Sequence, residues 1–118
     1  MLELNHKKLD VWKVSITLVK MIYNITNTFP KNETYGISNQ LRRAAISVAS
    51  NIAEGASRKS AVDRKRFFEI SRSSLVEIDT QMEICIEIGY IDKSNLKEID
   101  EIINKMFAKL SNLISSTK

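Results

Sequence analysis

Apolar side chains recur every three or four positions through most of this chain, and the recurrence breaks in three places. From Asp10 onward, Val11, Val14, Leu18, Ile22 and Ile25 fall on one stripe of a helix, and Trp12, Ile16, Val19, Tyr23 and Thr26 fall on a second stripe beside it. The spacing predicts a helix over about residues 10–28. It ends before Pro30, which has no amide hydrogen and restricts Phe29. Ile37, Leu41, Ala45, Val48 and Ile52 then predict a second helix over about 35–57, closed by Gly55 and the polar run Ser57 to Ser60.

Ser60 reads as an N-cap, with Asp63 as its capping-box-like partner, for a third helix over about 61–88. Two stripes run along that helix as well. Phe67, Ile70, Ser74, Ile78, Gln81, Cys85 and Ile88 form one, and Phe68, Leu75, Met82 and Ile86 the other. Gly89 is placed as a C-terminal cap. Asp92 is the expected cap of a fourth helix over about 93–115, whose heptad reads Leu96, Ile99, Ile103, Met106, Leu110 and Leu113.

Helices of this length would each be about 30 Å long. Short connections between them predict an all-α, antiparallel up-down-up-down four-helix bundle, with residues 1–118 forming a single domain. The alternative is a pair of long hairpins that complete a core only by dimerising. The first and third helices are apolar over more than one stripe, whereas a bundle helix needs about three positions in seven. That excess predicts a second buried surface, and another copy of the chain is its expected partner.

Composition adds a charge asymmetry. The net charge is +4, and the stretch from Arg58 to Arg72 holds six basic residues against Asp63 and Glu69 alone. Such a patch suits a polyanion, or it is a solvated helix face. The single cysteine, Cys85, sits among isoleucines and reads as core. No apolar run approaches the ~18 residues of a membrane span, so no membrane role and a cytoplasmic location are expected.

Catalytic parts are wanting. His6 is the only histidine, no Glu-x-x-His pair exists for a di-metal site, and no glycine-rich phosphate loop occurs. The carboxylates Glu69, Asp79, Glu83 and Glu87 are what an amphipathic helix wears outward. The expectation is a chain that is not an enzyme, with no catalytic residue, no metal site and no cofactor.

Between Gln40 and Ser60 the side chains are unusually small, with Ala44, Ala45, Ser47, Ala49, Ser50, Ala53, Ala56 and Ser57 fenced by Arg42 and Arg43 at one end and Arg58 and Lys59 at the other. Small residues let helix backbones approach closely. Asn51 and Glu54 lie among them and need partners if buried. Arg43 is a candidate to hold such a carboxylate. Arg42 and Arg43 point about 100° apart on a helix, so they do different jobs. One ties a neighbouring helix or subunit, and the other faces solvent or a phosphate.

Val11-Trp12, Phe29-Pro30, Tyr35-Gly36, Gln40-Leu41-Arg42-Arg43-Ala44, Asn51-Ile52-Ala53-Glu54-Gly55, Arg66-Phe67, Ser74-Leu75, Glu77 and Gly89-Tyr90 together resemble the four-helix-bundle proteins encoded in intervening sequences of bacterial 23S rRNA genes. The resemblance spans Leu9 to Ile91. It implies a ribosomal-protein-like bundle assembled as a cyclic homo-oligomer, a homopentamer. It extends to the accessory variability determinant of diversity-generating retroelements, a pentamer that binds nucleic acid and associates with a reverse transcriptase. Many such proteins have proline where Ala49 stands and glycine where Ser73 stands. The second helix is therefore expected to run straighter, and the helix approach at Ser73 to be relaxed.

Two functions follow. In the first, an oligomer binds the RNA or DNA backbone through Arg42, Arg43, Arg58, Lys59, Arg64, Lys65 and Arg66, largely without regard to sequence. In the second, the chain is a protein-interaction scaffold for a reverse transcriptase or a ribosome-associated protein, and its basic residues are merely solvated or paired.

Overall fold

A computed structural model describes residues Met1 to Lys118. The chain is all helical, with no strand. Helix α1 spans Asp10–Thr26, α2 Ile37–Ser57, α3 Ala61–Glu87 and α4 Lys97–Ser116. Short 3-10 turns at Asn5–Lys8, Lys31–Glu33 and Lys93–Asn95 precede α1, α2 and α4. The molecule measures 44 × 27 × 20 Å, long in the direction that the 27-residue α3 demands.

One continuous core is built from Val11, Val14, Leu18 and Ile22 of α1, Leu41, Ala45, Val48 and Ile52 of α2, Leu75, Ile78, Met82 and Cys85 of α3, and Ile99, Ile103, Met106 and Leu110 of α4, with Leu96 just before it. Where the sequence offers two stripes, packing buries mainly one on α1 and draws on both on α3. On α1 Val11, Val14, Leu18 and Ile22 are buried together with Thr26, while Trp12, Ile16, Val19 and Ile25 are half-exposed and Tyr23 is exposed. On α3 the core line is Phe68, Leu75, Ile78, Met82 and Cys85, which leaves Ile70 and Ile88 of the expected stripe in solvent.

Polar pairings fix how α2 and α3 lie together. Ser71 Oγ donates to the Val48 carbonyl at 2.8 Å, Ser47 and Ser74 share a hydrogen bond at 2.9 Å, and Gln81 Nε2 reaches Gln40 Oε1 at 3.4 Å. Positions advancing along α2 meet positions receding along α3, so the two helices run in opposite directions. At Gly55 the approach is close, since a Cβ there would fall 2.7 Å from Phe68 Cε1 and 3.1 Å from the Arg64 carbonyl oxygen. Gly55 thus lies buried inside α2 rather than closing it. Ser73, where a relaxed approach was expected, is exposed, and α2 is continuous through Ala49.

The ends follow identifiable chemistry. Ser60 Oγ accepts from the Asp63 amide at 3.0 Å, the cap the sequence announces. Gly89 has φ 83°, with Tyr90 N donating to the Cys85 carbonyl and Gly89 N to the Ile86 carbonyl, a Schellman closure of α3. Asp92 does not cap α4. Its Oδ1 accepts from Ser94 N and holds the 3-10 turn, so α4 starts at Lys97, later than expected.

Candidate nucleic-acid interface

The seven basic residues singled out from the sequence divide into two places and two kinds. Arg42 and Arg43 lie in the first turns of α2, while Arg58, Lys59, Arg64, Lys65 and Arg66 surround the α2–α3 junction. Sixteen residues of helix between Arg42 and Arg58 amount to about 24 Å, so the two groups do not form one contact point.

Three of the seven are committed within the fold. Arg42 donates from Nε to Thr26 Oγ1 at 2.8 Å and from Nη2 to Asn27 Oδ1 at 2.9 Å, and its guanidinium lies 4.7 Å from the Tyr23 ring centre. It locks α2 to the end of α1. Arg58 pairs with Glu54 one turn back and stacks 4.9 Å over Phe67. Arg64 Nη1 donates to the carbonyls of Lys59 and Arg58, clamping the junction. The carboxylate of Glu54 is therefore held by Arg58, not by Arg43, and Asn51 is satisfied by the Ser47 carbonyl and hydroxyl.

Arg43, Lys59, Lys65 and Arg66 take part in neither of the two ion pairs of the molecule. Lys65 and Arg66 line a shallow cleft of about 420 Å³ with Ala61, Val62, Glu69, Thr117 and Lys118. Lys118 was missed in the sequence reading. Its signal was topological, because opposed directions bring the end of the fourth helix beside the start of the third. The second ion pair, Lys109 to Asp10 at 2.6 Å, ties α4 to the start of α1 near this end. The Lys109 hydrogen bond and charge hold the Asp10 carboxyl below the ordinary carboxylate range.

The opposite end carries the opposite charge. Along the chain from Glu77 to Glu101, the acids Glu77, Asp79, Glu83, Glu87, Asp92, Glu98, Asp100 and Glu101 are interspersed with only Lys93 and Lys97, and Arg43 of α2 shares a cleft with Glu77. Here the Tyr90 hydroxyl donates to Glu33 Oε1 at 3.2 Å, and its ring packs on Phe29 at 5.5 Å. Burial, then the bond to Glu33, pushes the Tyr90 phenol up. Burial raises the Cys85 thiol to about 11, which leaves it protonated and unreactive at neutral pH.

Two other surfaces complete the picture. An apolar groove of about 620 Å³ runs between α1 and α2, lined by Trp12, Ile16, Val19, Ile46, Ala49 and Ala53, and the first residues of the chain reach it. It follows the outer stripe of α1, whose Trp12 and Val19 also pack against the edge of the core. A smaller polar cleft lies between α2 and α3, with Arg43, Ser47, Ser74, Glu77 and Gln81 among its walls. No group of three or more His, Cys, Asp or Glu is placed to hold a metal ion, and no helix is long and apolar enough to cross a membrane.

Comparison with known proteins places the chain. The family model of the 23S rRNA-intervening sequence protein matches residues 7–112. The chain belongs to that family. Among solved structures it is similar to a protein of unknown function from the S23 ribosomal protein family of Bacteroides thetaiotaomicron, at 20% sequence identity and a TM-score of 0.82, over 90% of this chain and 96% of that one. That likeness carries the fold. Among curated proteins no relative is detected.

Proposed function

We propose that this chain is a non-catalytic, oligomeric up-down-up-down helical bundle that binds the backbone of RNA or DNA through its basic end. The observation that carries the reading is the set of cations left over after the fold has taken what it needs. Arg58 and Arg64 are spent on the α2–α3 junction, whereas Lys59, Lys65 and Arg66 have no acidic partner there. Unpaired cations grouped on one end, with most of the acids toward the other, attract a polyanion in one orientation. Arg42 is withdrawn from the contact set, because two of its five donors are bonded to Thr26 and Asn27 and its guanidinium lies over the Tyr23 ring.

Self-association is part of the proposal. The α1–α2 groove is the second apolar surface that the wide stripe of α1 calls for, and a second copy of the chain is its proposed occupant. A ring, such as the pentamer implied by the family resemblance, would repeat the basic end and convert a weak single contact into avidity. The same groove favours the alternative reading, in which a reverse transcriptase or a ribosome-associated protein docks and no nucleic acid is held.

A binding titration against RNA and DNA over a salt series tests the proposal. Backbone contacts give log affinity falling linearly with log salt, at about −0.9 per neutralised phosphate on duplex DNA. Light scattering should return a mass several times 13.5 kDa. Negligible binding at physiological salt by a correctly assembled protein would favour the docking reading.

A further inference from the structure

We propose that the polar cleft between α2 and α3 receives a single guanine base of the bound strand. This goes beyond backbone binding and rests on it for the delivery of a strand to the protein. The cleft, of about 330 Å³, is lined by Gln40, Arg43, Ala44, Ser47, Ser74, Glu77 and Gln81. Its small floor residues Ser47 and Ser74 are already satisfied by each other. Around them, Arg43 and Glu77 are exposed and their side chains take part in no ion pair or hydrogen bond within the protein. A guanidinium and a carboxylate share the cleft without forming an ion pair, since the molecule's two ion pairs lie elsewhere. Gln81 Oε1 is shielded from solvent with no hydrogen-bond partner, and its amide is held only by the 3.4 Å contact to Gln40. Turning that amide outward costs one long bond and relieves an orphaned acceptor.

The occupant must satisfy both charges. A phosphate suits Arg43 but is repelled by Glu77, so this is not another backbone contact. A base edge carries no net charge and can offer acceptors to one wall and donors to the other. Guanine does so with adjacent groups: N7 and O6 accept from an arginine fork, and N1–H with the N2 amino group donates to a carboxylate. Adenine has no donor at its N1, and uracil presents a single N–H. The distance along α2 from Arg43 to the basic junction is about 22 Å, within reach of a strand covering the ~4–16 nucleotides usual for single-strand sites.

The test compares oligouridine strands carrying one central guanosine or one central adenosine. The expected result is a preference of about tenfold for guanosine. Glu77→Gln should abolish that preference while leaving the affinity for plain oligouridine unchanged or higher, since a like charge is removed. Equal binding of the two strands by the parent protein overturns the proposal and leaves backbone binding standing. If no strand binds, guanosine 5′-monophosphate decides, because it does not depend on the basic end. Amide resonances of Gln40, Ala44 and Ser74 should shift with it and stay put with adenosine 5′-monophosphate. No shift, including the case where a second copy covers the cleft, overturns the proposal.

Discussion

The two ends of this bundle have similar helices and opposite chemistry. At the α2–α3 junction, arginines are structural parts, with Arg58 stacked on Phe67 and Arg64 bonded to two carbonyls of the turn. At the far end the structural parts are Phe29, Tyr90, Glu33 and the Gly89 turn, and the surrounding charge is acidic. The difference teaches how to read a basic run. A count of cations measures what the fold and the ligand need together, and only subtraction of the engaged ones leaves a binding surface. Lys93 and Lys97 at the acidic end also take part in neither ion pair, but the acids around them outnumber them, so under the proposed function a polyanion is expected to favour the basic end.

The strongest way to break the comparison is to separate the helices at the basic end. Gly55→Val places side-chain atoms where even a Cβ meets Phe68 at 2.7 Å. The expected loss is about 1–3 kcal/mol of stability in denaturant unfolding. Gly89→Ala perturbs the acidic end instead. No neighbour lies within 4 Å of the added Cβ, so the cost comes from the positive φ alone and should be about 1–2 kcal/mol. A Gly55 variant with unchanged stability would refute the close approach.

Binding sharpens the contrast without touching the fold. Replacing Lys59 and Lys65 by Gln should reduce the slope of log affinity against log salt by about 1.8 for duplex DNA, at 0.9 per contact, with an unchanged Tm. The matched change of Lys93 and Lys97 at the acidic end should alter neither. Identical slopes in all three proteins would return the basic end to a solvated surface.

The smallest expected effects come from pH, and they have opposite signs at the two ends. The Asp10 pKa is depressed by Lys109, so its contribution is present above the ordinary carboxylate range and is lost as pH falls through the lowered value. The Cys85 pKa is raised from 9.0 to about 11, so its contribution is full below pH 9.0 and is lost as pH rises toward about 11. Tyr90, also raised, acts in the same direction. Hydrogen exchange should therefore quicken first around Asp10 in acid and around Tyr90 in alkali. The reverse order would overturn both assignments.

Helix positions were legible because period and punctuation agreed: Pro30, Ser60 and Gly89 each mark a boundary the structure respects to within a few residues. The start of α4 was misread because Asp92 has the same local chemistry whether it caps a helix or a 3-10 turn. Which stripe of α1 or α3 faces inward was open, since periodicity is blind to the neighbour that selects it. The separate fates of Arg42 and Arg43 followed from their angular offset, yet which one is tied down depended on Thr26 and Asn27 lying within reach. The polar cleft was not foreseen, because Arg43, Glu77 and Gln81 come together only through the alignment of two helices.

That alignment has a mechanical side. Between α2 and α3 the hydroxyls of Ser71 and Ser74 engage Val48 and Ser47 beside the buried aliphatic side chains of Val48, Ile52, Leu75 and Ile78. Aliphatic surfaces slide with little preference, but a slip of one turn, about 5.4 Å, would strand a buried hydroxyl against hydrocarbon. The serines act as pins, and the helix pair behaves as a strut of fixed length. A load applied at the α2–α3 junction would then be carried along the helix pair toward the Tyr90 end rather than absorbed as shear between the helices.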